Sequence, residues 1–429
     1  MPDLSVNMAG IRSPNPFWLA SGPPTNTGDQ VSRAFDQGWG GAVWKTLGVP
    51  IINTTSRYGS IDLGGRRMMG LNNIELITDR PLEVNLREVR EVKRRFPEHA
   101  VIVSLMVESR DEWREIIRRS EDAGADGLEL NFGCPHGMCE RGMGSAVGQE
   151  PRVLQEITSW AHEFATVPVL IKLTPNISRI EDPALAAVRG GADGLSLINT
   201  IKSVMGVDLD SFAPKPSVGG RSSHGGYCGP AVKPIALRMV AELARHPEVK
   251  IPISGIGGIE TWRDAAEFLA LGATTVQVCT AVMHYGFRIV RDLIDGLDGY
   301  LRAKQMRSVQ ELIGRAVPNY LEWGDLDLNY KIVAQIHAEK CIGCHLCQVV
   351  CWDAAHQCIH PDPNGGFAPV VDQPECIGCN LCYHVCPVED CIEMVQLNPD
   401  APKLSWNQLV ARGGAPATFD PPSTGSDRH

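Results

Sequence analysis

The chain has 429 residues, 14 cysteines and a formal net charge of −10. That acidity argues against nucleic acid or an anionic membrane as the main partner. With 43% hydrophobic and 21% charged residues, the composition is that of a globular protein with room for more than one domain. The opening MPDLSVNMAG has no basic n-region and no apolar h-region, so no secretory signal is expected. No apolar run approaches the ~18 residues of a membrane span. The expected setting is reducing and cytoplasmic, where clustered cysteines bind metal more often than they pair.

Residues 3–16 read as a small hairpin capping the floor of a barrel. From 17 to 285, short apolar runs alternate with amphipathic segments. The runs are FWLASG (17–22), GAVWKTLG (41–48), AVIVSLMV (100–107), GLELNFGC (127–134), PVLIKLTP (168–175), GLSLINT (194–200), IPISGIGG (251–258) and TTVQVCTA (274–281). Their near-continuous hydrophobicity suits strands buried on both faces of a parallel sheet. Between them, PLEVNLREVREVKRRFP (81–97) sets Leu82, Val84, Leu86, Val89 and Val92 among charges. DEWREIIRRSEDAG (111–124) opens with acids, as a helix N-terminus prefers. GADGLEL (124–130) recurs as GADGLSL (191–197); in each, a helix stops at glycine and a strand starts at once. Eight β/α units over about 270 residues predict an α/β fold, a (β/α)8 barrel of the TIM type over residues 1–305. The alternative, a doubly wound sheet, usually carries an early glycine-rich dinucleotide turn, and none occurs here.

Residues 306–340 read as a helical linker. Residues 341–392 read as a small two-cluster, ferredoxin-like α+β module, and 393–429 as a flexible tail rich in Pro, Gly and Ser. Ten of the 14 cysteines fall between Cys341 and Cys391. CIGCHLCQVVC (341–351) and CIGCNLCYHVCP (376–387) are two copies of C-x2-C-x2-C-x3-C, the ligand run of two-cluster ferredoxins. Three thiolates on one tight loop hold three corners of a cuboidal cluster. The fourth lies a helical turn away and points at the other cluster. Cys341, Cys344, Cys347 and Cys386 are thereby assigned to one [4Fe–4S] cluster, and Cys376, Cys379, Cys382 and Cys351 to the second. Structural zinc, the competing reading, usually takes two separated ligand pairs rather than two complete runs. Cys358 and Cys391 fall outside the runs and read as small buried side chains.

Low-potential clusters pass one electron at a time. A barrel joined to them needs a group that accepts single electrons and performs two-electron chemistry, and flavin meets both demands. Chemistry in such barrels sits at the C-terminal ends of the strands. Those ends carry Ser21, Lys45 with Thr46, Asn131 with Cys134, Lys172, Asn199 with Thr200, Gly257 with Gly258, and Cys279 with Thr280. The last two pairs close strands seven and eight, the usual phosphate site of this fold; Gly-Gly by itself would be only a turn. A buried lysine is costly unless it meets an anion. For Lys45 and Lys172 that anion is either a reduced flavin or a nearby Asp or Glu. Asn73, Asn131 and Asn199 supply amides and Glu75 an acceptor, a set suited to a small flat heterocycle with alternating C=O and N–H groups. Any one of these asparagines alone would as readily bond its own backbone. Cys134, in NFGCPHGM, is a filler, a ligand or a reagent.

NPFWLASGPPT, WGGAVWKT, NNIELI, NFGCPHGM, KLTPNI, GGYCGPAVKPIALR, ISGIGGIETW and QVCTAVM, followed by both cysteine runs, form an ordered set over about residues 3–392. By these motifs the barrel resembles the dihydroorotate dehydrogenase-like flavoproteins. The whole chain is similar to the pyrimidine-reducing subunits of the dihydropyrimidine dehydrogenase family. The resemblance implies FMN in the barrel and uracil or thymine as substrate. It sets Ser21, Lys45, Thr46, Lys172, Gly229, Gly257, Gly258, Cys279 and Thr280 on FMN-binding positions. Asn73, Glu75, Asn131, Asn199 and Thr200 fall on pyrimidine-binding positions, with Asn73, Asn131 and Asn199 also against the cofactor. Cys134 falls on the general acid, which protonates C5 while hydride reaches C6. A thiol with a pKa near ~8.5 holds its proton at neutral pH. The segment PHGMCERGMGSAVG would form a loop able to close over the substrate. The family usually has serine where this chain has Gly133, a change that removes a hydroxyl and loosens the loop. With no strand–GxGxxG–helix in the chain, electrons are expected from a separate FAD- and NAD(P)-binding subunit, in a heterotetramer built on a homodimer of this chain. The competing readings are a dihydroorotate dehydrogenase or other ene-reducing flavoenzyme, and an electron-carrier subunit whose barrel is only scaffold.

Overall fold

The computed structural model describes residues 1–54, 58–137, 142–354 and 356–413. The chain divides into two units, Met1–Tyr320 and Leu321–His429.

In the first unit, eight parallel strands close into a barrel in simple sequential order. They are β1 (Phe17–Leu19), β2 (Gly41–Leu47), β3 (Ala100–Leu105), β4 (Gly127–Asn131), β5 (Val169–Lys172), β6 (Gly194–Leu197), β7 (Ile253–Ile256) and β8 (Ala273–Val278). Seven lie within their apolar runs, and β8 starts one residue ahead of its own. Closure is made by β8 on β1, with Val276, Gln277 and Val278 opposite Phe17, Trp18 and Leu19. Every residue of β2 and β3 is buried, because helices cover the outside of the barrel and side chains fill its inside. The helices start where the chemistry predicts. Ser109 and Glu112 form a capping box before Arg110–Asp122, and Thr261 and Asp264 form another before Trp262–Ala270. The floor is the hairpin Val6–Met8/Ile11–Ser13. Its Met8 and Ile11 pack with Trp18, Val43, Ile102 and Leu170 from four of the strands.

One layer has no counterpart in the sequence pattern. Four antiparallel strands pair in the order Ile201–Ser203, Gly225–Cys228, Arg66–Asn73, Tyr58–Leu63. They come from the excursions after β2 and after β6, so the two halves of the layer join positions such as Asn73 and Gly226, far apart in the chain. The outer strand is largely exposed and shows no alternation, which leaves no period to read.

Residues 306–340 are not a linker. Met306, Val309 and Leu312 are buried in the barrel core. SVQELIGRAV makes only the short 3-10 turns Val309–Glu311 and Val317–Asn319, since Gly314 turns left-handed (φ 77°) and Pro318 cannot extend a helix. At the far end of the segment, Ile332–Ile336 pairs antiparallel with Ile392–Gln396 and belongs to the second unit. The expected tail is partly ordered as well: that strand runs through Gln396, and Ser405 caps the helix Trp406–Ala411. Residues 414–429 lie outside the described residues.

The second unit is small and α+β. Besides the strand pair above, it has the helices Leu346–Ala354 and Leu381–Val385 and a two-residue ladder, Ile359–His360 with Val370–Val371. The two cysteine runs take matching backbones. Gly343 (φ 65°) and His345 (φ 58°) recur as Gly378 (φ 72°) and Asn380 (φ 66°). These left-handed residues curl each run into a tight loop ahead of its helix. Among the described residues, no helix is long and apolar enough to cross a membrane.

Candidate active site

At the C-terminal ends of the barrel strands lies a deep cavity with an open mouth. Ser21, Lys45, Thr46, Asn73, Glu75, Asn131, Cys134, Lys172, Asn199, Thr200, Gly229, Gly257, Gly258, Cys279 and Thr280 all line it. These positions span most of the barrel, and strand closure brings them together.

A chain of short hydrogen bonds crosses the cavity floor. Ser21 and Thr46 share a hydroxyl bond of 3.3 Å, and Thr46 shares another with Ser104 at 2.9 Å. The Asn131 amide donates to Thr46 Oγ1 at 3.1 Å, and the Asn199 amide donates to Asn131 Oδ1 at 3.0 Å. The backbone N–H of Thr200 donates to Asn199 Oδ1 at 2.7 Å. Each asparagine is thus held by its neighbour, and the set is preorganised rather than free to rotate.

Both cavity lysines meet carboxylates. Lys45 pairs with Glu75, and both side chains are buried. Lys172 lies 3.4 Å from the fully buried Glu129, whose other oxygen accepts from Ser196 at 2.7 Å and Gln277 at 3.0 Å. Of the two anions open to these lysines on sequence, a protein carboxylate is present for each. Glu129 and its partners occupy the barrel interior below the cavity, a network that strand-end reasoning does not reach.

Glu75 is a junction. Besides Lys45, its carboxylate accepts from the Tyr58 phenol, and its backbone carbonyl bonds His136 Nε2 at 3.1 Å. It thereby ties β2, the antiparallel layer and the Cys134 loop together. The Cys134 thiol is buried and donates to the His136 carbonyl at 3.5 Å. Residues 138–141 of this loop, Cys139 among them, lie outside the described residues. Gly133 has a steric reason here: a Cβ would stand 2.4 Å from Asn199 Cβ. The glycine therefore admits Asn199 to its place beside Asn131, more than it loosens the loop.

Tyr58, His136, Tyr227, Cys228 and Gln277 also line the cavity, and sequence reasoning passed over them. The only available signal was local for His136, two residues past Cys134. Tyr58, Tyr227 and Cys228 arrive on the antiparallel layer. Burial pushes the Cys228 thiol up to about 11, although Thr280 donates to it at 3.3 Å, and burial with Cys228 nearby pushes Cys279 up to about 12. Both are neutral thiols at ordinary pH.

The match to the dihydroorotate dehydrogenase family covers residues 3–301. The chain belongs to the dihydroorotate dehydrogenase family. A 4Fe-4S dicluster domain follows at residues 334–394, an addition to the family barrel. The chain is 45% identical over 357 residues to the NAD-dependent dihydropyrimidine dehydrogenase subunit PreA of Escherichia coli, covering 83% of this chain and 87% of that protein. It is 43% identical over 353 residues to the chloroplastic dihydropyrimidine dehydrogenase (NADP(+)) of Arabidopsis thaliana (79% and 83% covered). It is 38% identical over 314 residues to the catalytic subunit of dihydroorotate dehydrogenase B (NAD(+)) of Pyrococcus abyssi (73% and 99% covered).

Like other barrels of the family, this one takes FMN, and the module takes two [4Fe–4S] clusters. The residues present fit both. Gly229, Gly257 and Gly258 have left-handed φ angles of 94°, 129° and 75°, and a Cβ on Gly258 would come within 3.0 Å of Gly229 O. This bare backbone, at the end of β7 and just after the strand Gly225–Cys228, leaves room for a phosphate. In the wall, Gln277 Oε1 is buried with no hydrogen-bond partner among the described residues. In the module, Cys351, Cys376, Cys379 and Cys382 border one small void. Cys347 faces Cys341 and Cys344, and Cys386 lies with Cys341 around Cys391. Among the described residues, no three such side chains converge on a point that would hold one ion. Thiols that stand apart around a void suit a four-iron cube better than a tetrahedral zinc.

Proposed function

We propose that this chain is the pyrimidine-reducing subunit of a dihydropyrimidine dehydrogenase, converting uracil or thymine to the 5,6-dihydropyrimidine. The observation that carries the reading is the meeting, in one cavity, of a fixed amide set, a buried thiol and a glycine-lined phosphate corner.

Ser21, Lys45, Thr46, Lys172, Gly229, Gly257, Gly258, Cys279 and Thr280 would hold FMN, with Asn73, Asn131 and Asn199 between cofactor and substrate. Bound FMN supplies a hydride for C6 and accepts electrons singly from the clusters. Asn73, Asn131, Asn199, Thr200 and Glu75 would orient the base by its alternating carbonyl and N–H groups. Cys134 would give its proton to C5, and the resulting thiolate regains a proton from solvent. The hydrogen bond to the His136 carbonyl holds the thiol in place until then. Lys45 and Lys172 already have carboxylate partners, which favours a neutral base over orotate, whose carboxylate would need a cation of its own. A scaffold-only barrel has no use for a buried polar network of this extent.

Electrons would enter from a separate FAD- and NAD(P)-binding subunit, in a cytoplasmic heterotetramer built on a homodimer of this chain. The test is anaerobic. Purified protein should carry FMN and about eight irons per chain. It should reduce uracil and thymine, but not orotate, with an artificial one-electron donor, and should not oxidise NADH or NADPH. Orotate as the preferred substrate would replace the reading with dihydroorotate chemistry. NADH-driven uracil reduction by the pure chain would remove the partner subunit from it.

A further inference from the structure

Five cysteines, not four, border the void of the second cluster site. Cys351, Cys376, Cys379 and Cys382 match the ligand spacing, and Cys358 is the fifth. Read from sequence as a filler, Cys358 is indeed buried, but its surroundings are those of a ligand. Its Sγ stands 3.5 Å from Cys351 Sγ, and its thiol also meets that of Cys376. Its backbone N–H donates to Cys351 Sγ at 3.3 Å.

The backbone is arranged to bring it there. Gln357 takes a left-handed φ of 58°, and its N–H returns to the Cys351 carbonyl at 3.0 Å. That turn reverses the chain after the helix Leu346–Ala354 and aims residue 358 back at the helix end that presents Cys351. The Asp372 N–H then bonds the Cys358 carbonyl at 2.7 Å and anchors it to the facing strand. At the other site Cys391 holds the matching place: its thiol meets those of Cys386 and Cys341 and donates to the His337 carbonyl at 3.9 Å, whereas Cys358 stands 3.5 Å from Cys351 Sγ.

We propose that Cys358 is a reserve ligand of the cluster held by Cys351, Cys376, Cys379 and Cys382. When the Cys351 thiolate is lost, Cys358 takes over its iron. The exchange is redox-neutral: the iron–sulfur bond to Cys351 breaks, one to Cys358 forms, and Cys351 gains the proton that Cys358 gives up. Each iron of a cube needs one thiolate, and a second thiol in contact with the first can occupy the same corner after a small rotation.

The proposal rests on the two-cluster reading, which the wild-type iron content of about eight tests separately. Iron, acid-labile sulfide and FMN are measured per chain in anaerobically purified variants, with EPR of the reduced protein. Cys358→Ala should keep about eight irons, as should Cys351→Ala, the latter with an altered signal from one cluster. The double variant should fall to about four, with FMN unchanged in all three. Two results overturn the idea: equal iron in Cys351→Ala and the double variant, or loss of a cluster from Cys358→Ala alone, which would make it a primary ligand. If the module of Cys351→Ala fails to fold, as loss of both clusters with FMN retained would reveal, Cys351→Ser with and without Cys358→Ala makes the same comparison.

Discussion

The two units build their sites in opposite ways. The barrel cavity draws on residues from Ser21 to Thr280, spread over most of the strand ends, and none of them is chemically informative by itself. The module draws on two runs of eleven residues, each nearly complete within its own loop and helix. The barrel also brings its own counter-charges, Glu75 for Lys45 and Glu129 for Lys172. The module buries thiols around voids, and its apolar core is small: Ala334, Ile359 and Ile392 stand among Cys347, Cys351, Cys358 and Cys382. Burial pushes Cys382 up to about 11. A site made by topology is stable before its cofactor arrives; a site made by ligand spacing depends on its metal for its core.

Iron removal is the widest test of that contrast. Chelation under reducing conditions should unfold the module and leave the barrel, so limited proteolysis should degrade chain beyond about residue 320 first. An apo module as protease-resistant as the holo one would break the comparison. Next in size, on the proposed role of Cys134 as general acid, Cys134→Ala should lower turnover by ~10²–10⁴-fold with iron and FMN contents unchanged. Wild-type turnover would remove Cys134 as the acid.

Glu129→Leu should cost the barrel about 3–5 kcal/mol in urea unfolding, since it leaves the buried Lys172 ammonium without its carboxylate partner, while iron per chain stays constant. In the module, Gly378→Ala should cost more than Gly343→Ala. Both need a left-handed φ, worth roughly 1–2 kcal/mol, but a Cβ at 378 would also stand 2.5 Å from the Ile332 carbonyl, whereas at 343 the nearest atom is 3.4 Å away. Iron occupancy after dilution into chelator would rank them. The smallest effect is expected from Tyr58→Phe. Losing one half-exposed bond to Glu75 should raise KM about fivefold with kcat little changed, roughly 1 kcal/mol. A fall in kcat alone would mean that Tyr58 acts in the reaction itself.

The eight barrel strands, the floor hairpin, the two cysteine runs and fifteen of the cavity-lining residues are legible in the chain before any contact is known. Strands buried on both faces must be continuously apolar, cluster ligands must repeat at fixed spacing, and the site of a β/α barrel must fall where its strands end. What those residues touch is set by packing. The carboxylate partners of Lys45 and Lys172, the antiparallel layer that carries Tyr58 and Tyr227, and the approach of Asn199 over Gly133 join positions far apart in the chain. Contacts between such positions leave no period or spacing behind. The same holds for residues 306–340, whose apolar side chains were divided between two cores by packing, and for Cys358, which looks like filler until a left-handed turn at Gln357 sets its sulfur against Cys351.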